Sequence, residues 1–203
     1  MQRAIFFAAV RARPFGGRMS NDQVAGMDQI LDEWDRRRFN DPRHLAYMLA
    51  TVFWETARTM QPVREKGGEE YLRSKKYYPW VGEGLVQVTW EQNHRKFGAQ
   101  RPGQLLTWPI ALSALFDGMT EGMFTGRKLS DYFNGAITDP VNARRIINGT
   151  DRAHQIAELY ADFLRALEEA STADVPPLPQ PRPDIPPEEY PSEQPDPQHQ
   201  PPA

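Results

Sequence analysis

The sequence predicts a mainly α single domain over residues 1–172, with at most a small β-hairpin, followed by a disordered proline-rich acidic tail over residues 173–203. Three observations carry this expectation. Apolar residues recur at three- and four-residue steps in several long segments, the period of a helix with one buried face. Two of these segments open on helix-start signatures. Finally, 12 of the 19 prolines fall between Pro176 and Pro202, in a stretch with too little apolar surface to offset the entropy of ordering its backbone.

The elements follow in order. "MQRAIFFAAVRAR" resembles an export signal only superficially, because Arg11 and Arg13 interrupt it where a cleavage region is small and neutral. It is read instead as a first amphipathic helix burying Phe6, Phe7 and Val10. Next, "PFGGRMSNDQ" gives a Gly-Gly turn, Ser20 as N-cap and Gln23 at the reciprocal capping-box position, ahead of Val24, Met27, Ile30, Leu31 and Trp34. Asp41-Pro42 opens another helix, whose inner stripe is Leu45, Met48, Leu49, Val52, Phe53 and Thr56. Residues 61 to 84 then read as a long loop with a short strand, and "LVQVTW" as either a half-buried strand or the start of a helix. Helical periodicity resumes through Ile110, Leu112, Leu115, Phe116 and Met119, and again through Met123, Leu129, Tyr132 and Phe133. Further helix is expected over about 139–147 and, after the "NGTDR" turn, over 153–170.

Charge divides along the same boundary. The tail carries six acids against Arg182 alone, a net of −5, so residues 1 to 173 hold +2 of the total of −3. That is too mild a balance for a nucleic-acid-binding surface. No apolar run has the length of a membrane span. With no cysteine, disulfides, thiol nucleophiles and zinc–thiolate sites are excluded together. His44, His94, His154 and His199 lack metal-ligand spacing. Neither a metal nor a cofactor is expected, and the tail's polyproline has the chemistry to dock an aromatic groove on a partner protein.

Glu55 stands seven and three residues after Met48 and Val52, at the edge of a buried stripe and near a helix C-terminus. Partial desolvation and the negative end of the helix dipole both disfavour a charged carboxylate there, the environment that a general acid needs. In the following loop Tyr77, Tyr78 and Trp80 sit among polar groups, where aromatic rings suit sugar stacking as well as packing.

Taken together, "ETARTMQPVRE", "YYPWVGEGLVQVTWEQNHRKFG" and "RRIINGTDR" resemble, in that order, the glycoside hydrolase family 19 group of the lysozyme superfamily, in particular its chitinase-like peptidoglycan hydrolases of the phage endolysin type. The resemblance spans roughly residues 1 to 170 and implies a lysozyme-like fold. It puts the general acid on Glu55 in "WET", with Trp54 where the family usually has histidine. The base that activates water falls on Glu65, with Glu69 and Glu70 as competitors; inverting chemistry needs two carboxyls about 6.5–9.5 Å apart. The segment "GEGLVQVT" matches the family's sugar-binding stretch, which implies substrate contacts for Gln87, a water-holding hydroxyl for Thr89 and sugar-binding amides for Asn93 and Asn148. Tyr78 and Trp80 are the candidate stacking platforms. Glu83 occupies a position where the family has arginine, and near the cleft it would bear on neighbouring carboxyls unless paired with Arg64 or Arg73.

The expected function is therefore hydrolysis of β-1,4 glycosidic bonds in bacterial peptidoglycan, with chitin as the second candidate substrate, through a two-carboxylate, inverting mechanism. The alternative is a non-catalytic glycan-binding or phage-structural protein with a degenerate cleft. Without a convincing signal peptide, the expected location is the cytoplasm until release to the cell wall, or the virion.

Overall fold

The computed structural model describes residues 1–172 and is mainly helical; the predicted tail lies outside the described residues. Helix α1 (Arg3–Ala12) buries Phe6 and Val10 as expected, with Phe7 only half-buried. Helix α2 (Asn21–Arg37) starts at the full capping box, Gln23 N donating to Ser20 Oγ at 3.2 Å and Ser20 N to Gln23 Oε1 at 2.8 Å. Helix α3 (Pro42–Glu55) begins with Asp41 accepting from Arg43 N at 3.0 Å and Pro42 in its first turn. The sequence suggests a one-sided stripe for α3, yet every residue from Leu45 to Phe53 is buried. The reason is position: α3 runs through the middle of the core and packs along α8 (Ala153–Thr172), which α1 covers in turn. Small residues Ala46, Ala50 and Thr51 occupy the faces that the apolar stripe leaves open.

Helix α3 ends at Glu55 for local reasons. Thr56 Oγ1 donates to Val52 O at 2.7 Å and accepts from Met60 N at 3.1 Å, drawing the chain back on itself. Ala57, Arg58 and Met60 then take φ values of 49°, 72° and 57°, a left-handed run that side chains disfavour and that surrounding structure must hold. Helix α2 does the holding. Gln23 Nε2 donates to Arg58 O at 2.9 Å, and Gly26 brings the helix so close that a Cβ there would lie 1.9 Å from Met60 O. Gly26→Ala is therefore expected to lower stability by about 1–3 kcal/mol despite alanine's better helix propensity, a loss readable as a lower midpoint in urea unfolding.

The loop over 61–84 is more ordered than expected. Strand β1 (Val63–Arg64) pairs antiparallel with β2 (Glu83–Gly84), and a short helix, α4 (Glu69–Arg73), lies between them. "LVQVTW" is neither strand nor helix: Glu83 and Val88 exchange backbone hydrogen bonds of 3.1 and 2.9 Å, closing a turn that buries Leu85, Val86 and Val88. Helix α5 (Glu91–Lys96) follows, then a 3₁₀ turn (Gln104–Leu106) and α6 (Trp108–Glu121), which stops at Gly122 with φ 73°. Phe133 leaves the expected helix; α7 (Leu129–Tyr132) passes into a second hairpin, β3 (Phe133–Asn134) with β4 (Ile137–Thr138). The helix expected over 139–147 is a 3₁₀ turn (Asn142–Ile146).

One polar cluster ties α2 to α6. Glu33, 8% exposed, accepts from Arg36 at 2.6 Å and Arg37 at 2.5 Å, and Arg37 also bonds Asp117. The hydrogen bond from Arg36, with that from Arg37, holds the Glu33 carboxyl below the ordinary glutamate range despite its burial. A depressed folded-state value stabilises above the unfolded value and is lost as pH falls through the folded one. Glu33→Gln should thus melt below wild type at pH 7, with the difference closing as pH falls below the ordinary glutamate range.

Candidate functional site

A cleft of about 300 Å³ opens where α3 ends, at the small end of the range for ligand sites, about 300–1,000 Å³. Glu55, the last residue of α3, forms one side. Val86, Gln87, Val88, Thr89 and Trp90 from the turn after β2, with Asn93 of α5, form the second; Phe124, Ile147 and Asn148 form the third. Five of the sequence candidates, Glu55, Gln87, Thr89, Asn93 and Asn148, therefore share one cavity although 93 positions separate the first from the last.

The polar groups are held by short local bonds. Gln87, at φ 52°, donates through Nε2 to Val63 O at 3.0 Å, which fixes the amide against β1. Thr89 Oγ1 donates to Gln87 O at 3.2 Å, and Asn93 Nδ2 to Thr89 O at 2.9 Å. Asn148 Oδ1 accepts from Gly149 N at 2.8 Å. Among the described residues this leaves Asn93 Oδ1 and Asn148 Nδ2 without a protein partner, an acceptor and a donor lining the same cavity.

Glu55 is oriented by a residue that sequence reasoning passed over. Arg144, from the 3₁₀ turn over Asn142–Ile146, donates through Nη1 to Glu55 Oε1 at 2.7 Å and through Nε to Asp151 O at 3.2 Å. The side chains are 6% and 15% exposed, so this is a largely desolvated, charge-assisted pair. The partial burial expected for Glu55 at a helix end is present, but the environment also contains a guanidinium. The only sequence signal for it was an arginine within "RRIINGTDR", beside the candidate Asn148.

Three candidates stand off the cleft walls. Glu65 lies behind Gln87: its Oε1 accepts from Tyr77 Oη at 2.8 Å and its Oε2 from Gly82 N at 2.9 Å. Gly82 is packed between the two, since a Cβ there would meet Gln87 Oε1 at 3.0 Å and Glu65 Cβ at 3.5 Å. Burial first, and then the hydrogen bond to Glu65, push the Tyr77 hydroxyl up to about 12, so it stays a donor at neutral pH. Tyr78 is engaged elsewhere, its hydroxyl donating to Glu69 Oε1 at 2.8 Å. Trp80 packs edge-on against His94 with centroids 5.2 Å apart, under the Arg95 guanidinium. Of the two aromatic rings lining the cleft, Phe124 and Trp90, it is Trp90 that is exposed, at 45%, with Tyr77 edge-on at 5.6 Å. The competing acids Glu69 and Glu70 are exposed; the hydrogen bond from Tyr78 holds Glu69 below its usual range, and Arg64 and Arg73 pair with Glu69.

Those two arginines are therefore not partners of Glu83. Instead the buried Glu83 carboxylate accepts from Gly103 N with both oxygens, at 2.7 and 2.8 Å, and anchors the 103–106 turn rather than facing the cleft. His94, also buried, contacts Val81 O and Val88 O through Nε2 at 3.1 and 2.8 Å, a structural role.

Chemically the cleft combines one carboxyl whose Oε2 is left free by Arg144, amide groups of both polarities, a hydroxyl, and apolar surface beside an exposed indole. This is a composition suited to a polyhydroxylated ring. Among the described residues no group of histidine, cysteine and carboxylate side chains could hold a metal ion. No described helix is long and apolar enough to cross a membrane. No protein-family model, curated protein or solved structure matches this chain.

Proposed function

We propose that the chain is a lysozyme-like glycoside hydrolase that cleaves β-1,4 glycosidic bonds in bacterial peptidoglycan, with chitin as the second candidate substrate. The supporting observation is the meeting of Glu55, Gln87, Thr89, Asn93 and Asn148 in one cleft, because these residues come from three separate segments that the family resemblance assigned to a single sugar site. In this reading Glu55 protonates the leaving glycosidic oxygen through Oε2 while Arg144 fixes Oε1. The unpaired Asn93 Oδ1 and Asn148 Nδ2 take sugar hydroxyls, and Trp90 rather than Trp80 carries a ring face. Thr89 steadies a water, and Glu65 is the candidate base.

One observation favours the non-catalytic alternative. Both Glu65 oxygens are already hydrogen-bonded, and the side chain is absent from the cleft lining. A base there must act through a water reaching past Gln87, or exchange its bond to Tyr77 or Gly82.

Product analysis of purified peptidoglycan incubated with the protein tests the proposal. New reducing ends, identified by mass spectrometry as muramic acid or glucosamine, support hydrolysis and fix the bond cleaved. Soluble wall fragments that bind with no new reducing ends would establish the glycan-binding reading instead.

A further inference from the structure

The imidazole of His94 is fully buried, and its two nitrogens meet different surroundings. Nε2 lies 3.1 Å from Val81 O and 2.8 Å from Val88 O. Carbonyl oxygens only accept, so Nε2 carries a proton. Nδ1 is enclosed and makes no hydrogen bond, and the charged atom facing it is Glu83 Oε2 at 3.9 Å. A neutral ring with its proton on Nε2 would therefore aim a bare lone pair at a carboxylate. That carboxylate is 1% exposed, and its hydrogen bonds come from one donor, Gly103 N, shared by both oxygens. A buried charge met by a single neutral N–H is costly.

We propose that His94 is a buried imidazolium paired with the Glu83 carboxylate, and that this pair positions the turn carrying Gln87 and Thr89 into the cleft. Existing hydrogen bonds favour the ionised pair over a neutral one with the proton on Glu83, because two carbonyls face the ring cation and Gly103 N faces the anion. A closure of about 1 Å between Nδ1 and Oε2 makes a direct charge-assisted bond. Among the described residues no second ion pair reaches either side chain. Glu91 and Arg95, which share α5 with His94, pair with each other at 2.7 Å, and Arg95 lies over the Trp80 ring that packs edge-on against His94. Toward β1, Glu65 is bound to Tyr77 and Gly82; ahead of the 103–106 turn, Arg101 is exposed.

The pair acts at the base of the turn. Glu83 and Val88 already close it through their backbones, and the two side chains tie that closed unit to α5 on one side and to Gly103 on the other. Gln87 and Thr89 flank Val88 in the chain, so any displacement of Val88 passes directly to both cleft residues. This holds whether the cleft cleaves a glycan or only binds one.

Ring ¹⁵N signals of the four histidines in the full-length protein test it, with His94 assigned by elimination through His44→Gln, His154→Gln and His199→Gln. At pH 7 both nitrogens of His94 should be protonated. In Glu83→Gln, Nδ1 should be bare, because the glutamine amide supplies the donor that a neutral ring accepts. As pH is raised and the Nδ1 proton leaves the wild type, the Val88 amide and the Gln87 side-chain amide signals should shift together with the ring, and in Glu83→Gln they should hold still over the same range. A bare Nδ1 in the wild type at pH 7 would overturn the proposal, as would a Glu83→Gln ring that keeps both protons. A ring that titrates while Gln87 and Val88 stay unmoved would overturn the positioning role. None of these readings uses a substrate, so they stand apart from the success or failure of the hydrolase assignment.

Discussion

For the proposed hydrolase, glutamine at position 55 is expected to lower the rate of reducing-end release from purified peptidoglycan by about 100- to 10,000-fold, the usual contribution of a general acid. The amide keeps the shape of the side chain and an oxygen for Arg144 Nη1, but it has no proton to give a leaving glycosidic oxygen. The effect should fall on kcat, with the affinity for wall fragments close to that of wild type, because the amides and the indole that line the cleft are untouched. The melting temperature should drop only slightly, since one charge-assisted bond becomes a neutral one, at a cost of about 1 kcal/mol. Turnover within threefold of wild type would remove Glu55 from the chemistry. Loss of turnover together with loss of binding would make its role structural.

The features legible in the sequence were those with local causes. The Ser20–Gln23 box and the Asp41-Pro42 pair each mark a helix start because they satisfy backbone donors within a few residues. The long periodic run over α8 likewise fixes its extent to within two residues. Errors came where alternation or periodicity had another origin. "LVQVTW" alternates because a closed turn drives Leu85, Val86 and Val88 inward, while Gln87 and Trp90 take left-handed φ values of 52° and 77°. The helix expected over 139–147 is confined between Pro140 and the Asn148-Gly149 turn, leaving room for a short 3₁₀ segment. The site divides the same way. Gln87, Thr89 and Asn93, on the turn and on α5, were grouped by the family resemblance, which matches them as one continuous segment. The choice between Trp80 and Trp90 depends on which side of the turn each ring packs, which no spacing encodes. Arg144 pairs with a residue 89 positions away, and nothing local to either partner signals it.

That distant pair gives the second large effect. Arg144→Met removes the cation while keeping an unbranched apolar stem in a site only 5% exposed. It strands the Glu55 carboxylate, 85% covered on its side chain, and leaves Asp151 O without its donor. Breaking one side of a fully buried pair costs about 3–5 kcal/mol. Here the cleft admits water to Glu55, so about 2–3 kcal/mol is expected, or a melting temperature lower by about 4–12 °C in a domain of this size. Turnover should fall as well, since the carboxyl loses the bond that sets which oxygen faces the cleft. A coupling experiment separates the pair from mere packing. If the charge is the problem, adding Glu55→Gln to Arg144→Met should recover part of the lost stability, although Glu55→Gln alone slightly destabilises wild type. Arg144→Lys should recover little, because one ammonium on a flexible stem cannot reproduce the guanidinium fork that meets Glu55 and Asp151 together. Strict additivity of the two substitutions would show that Glu55 and Arg144 are neighbours without being partners, and the orienting role given to Arg144 would fail with it.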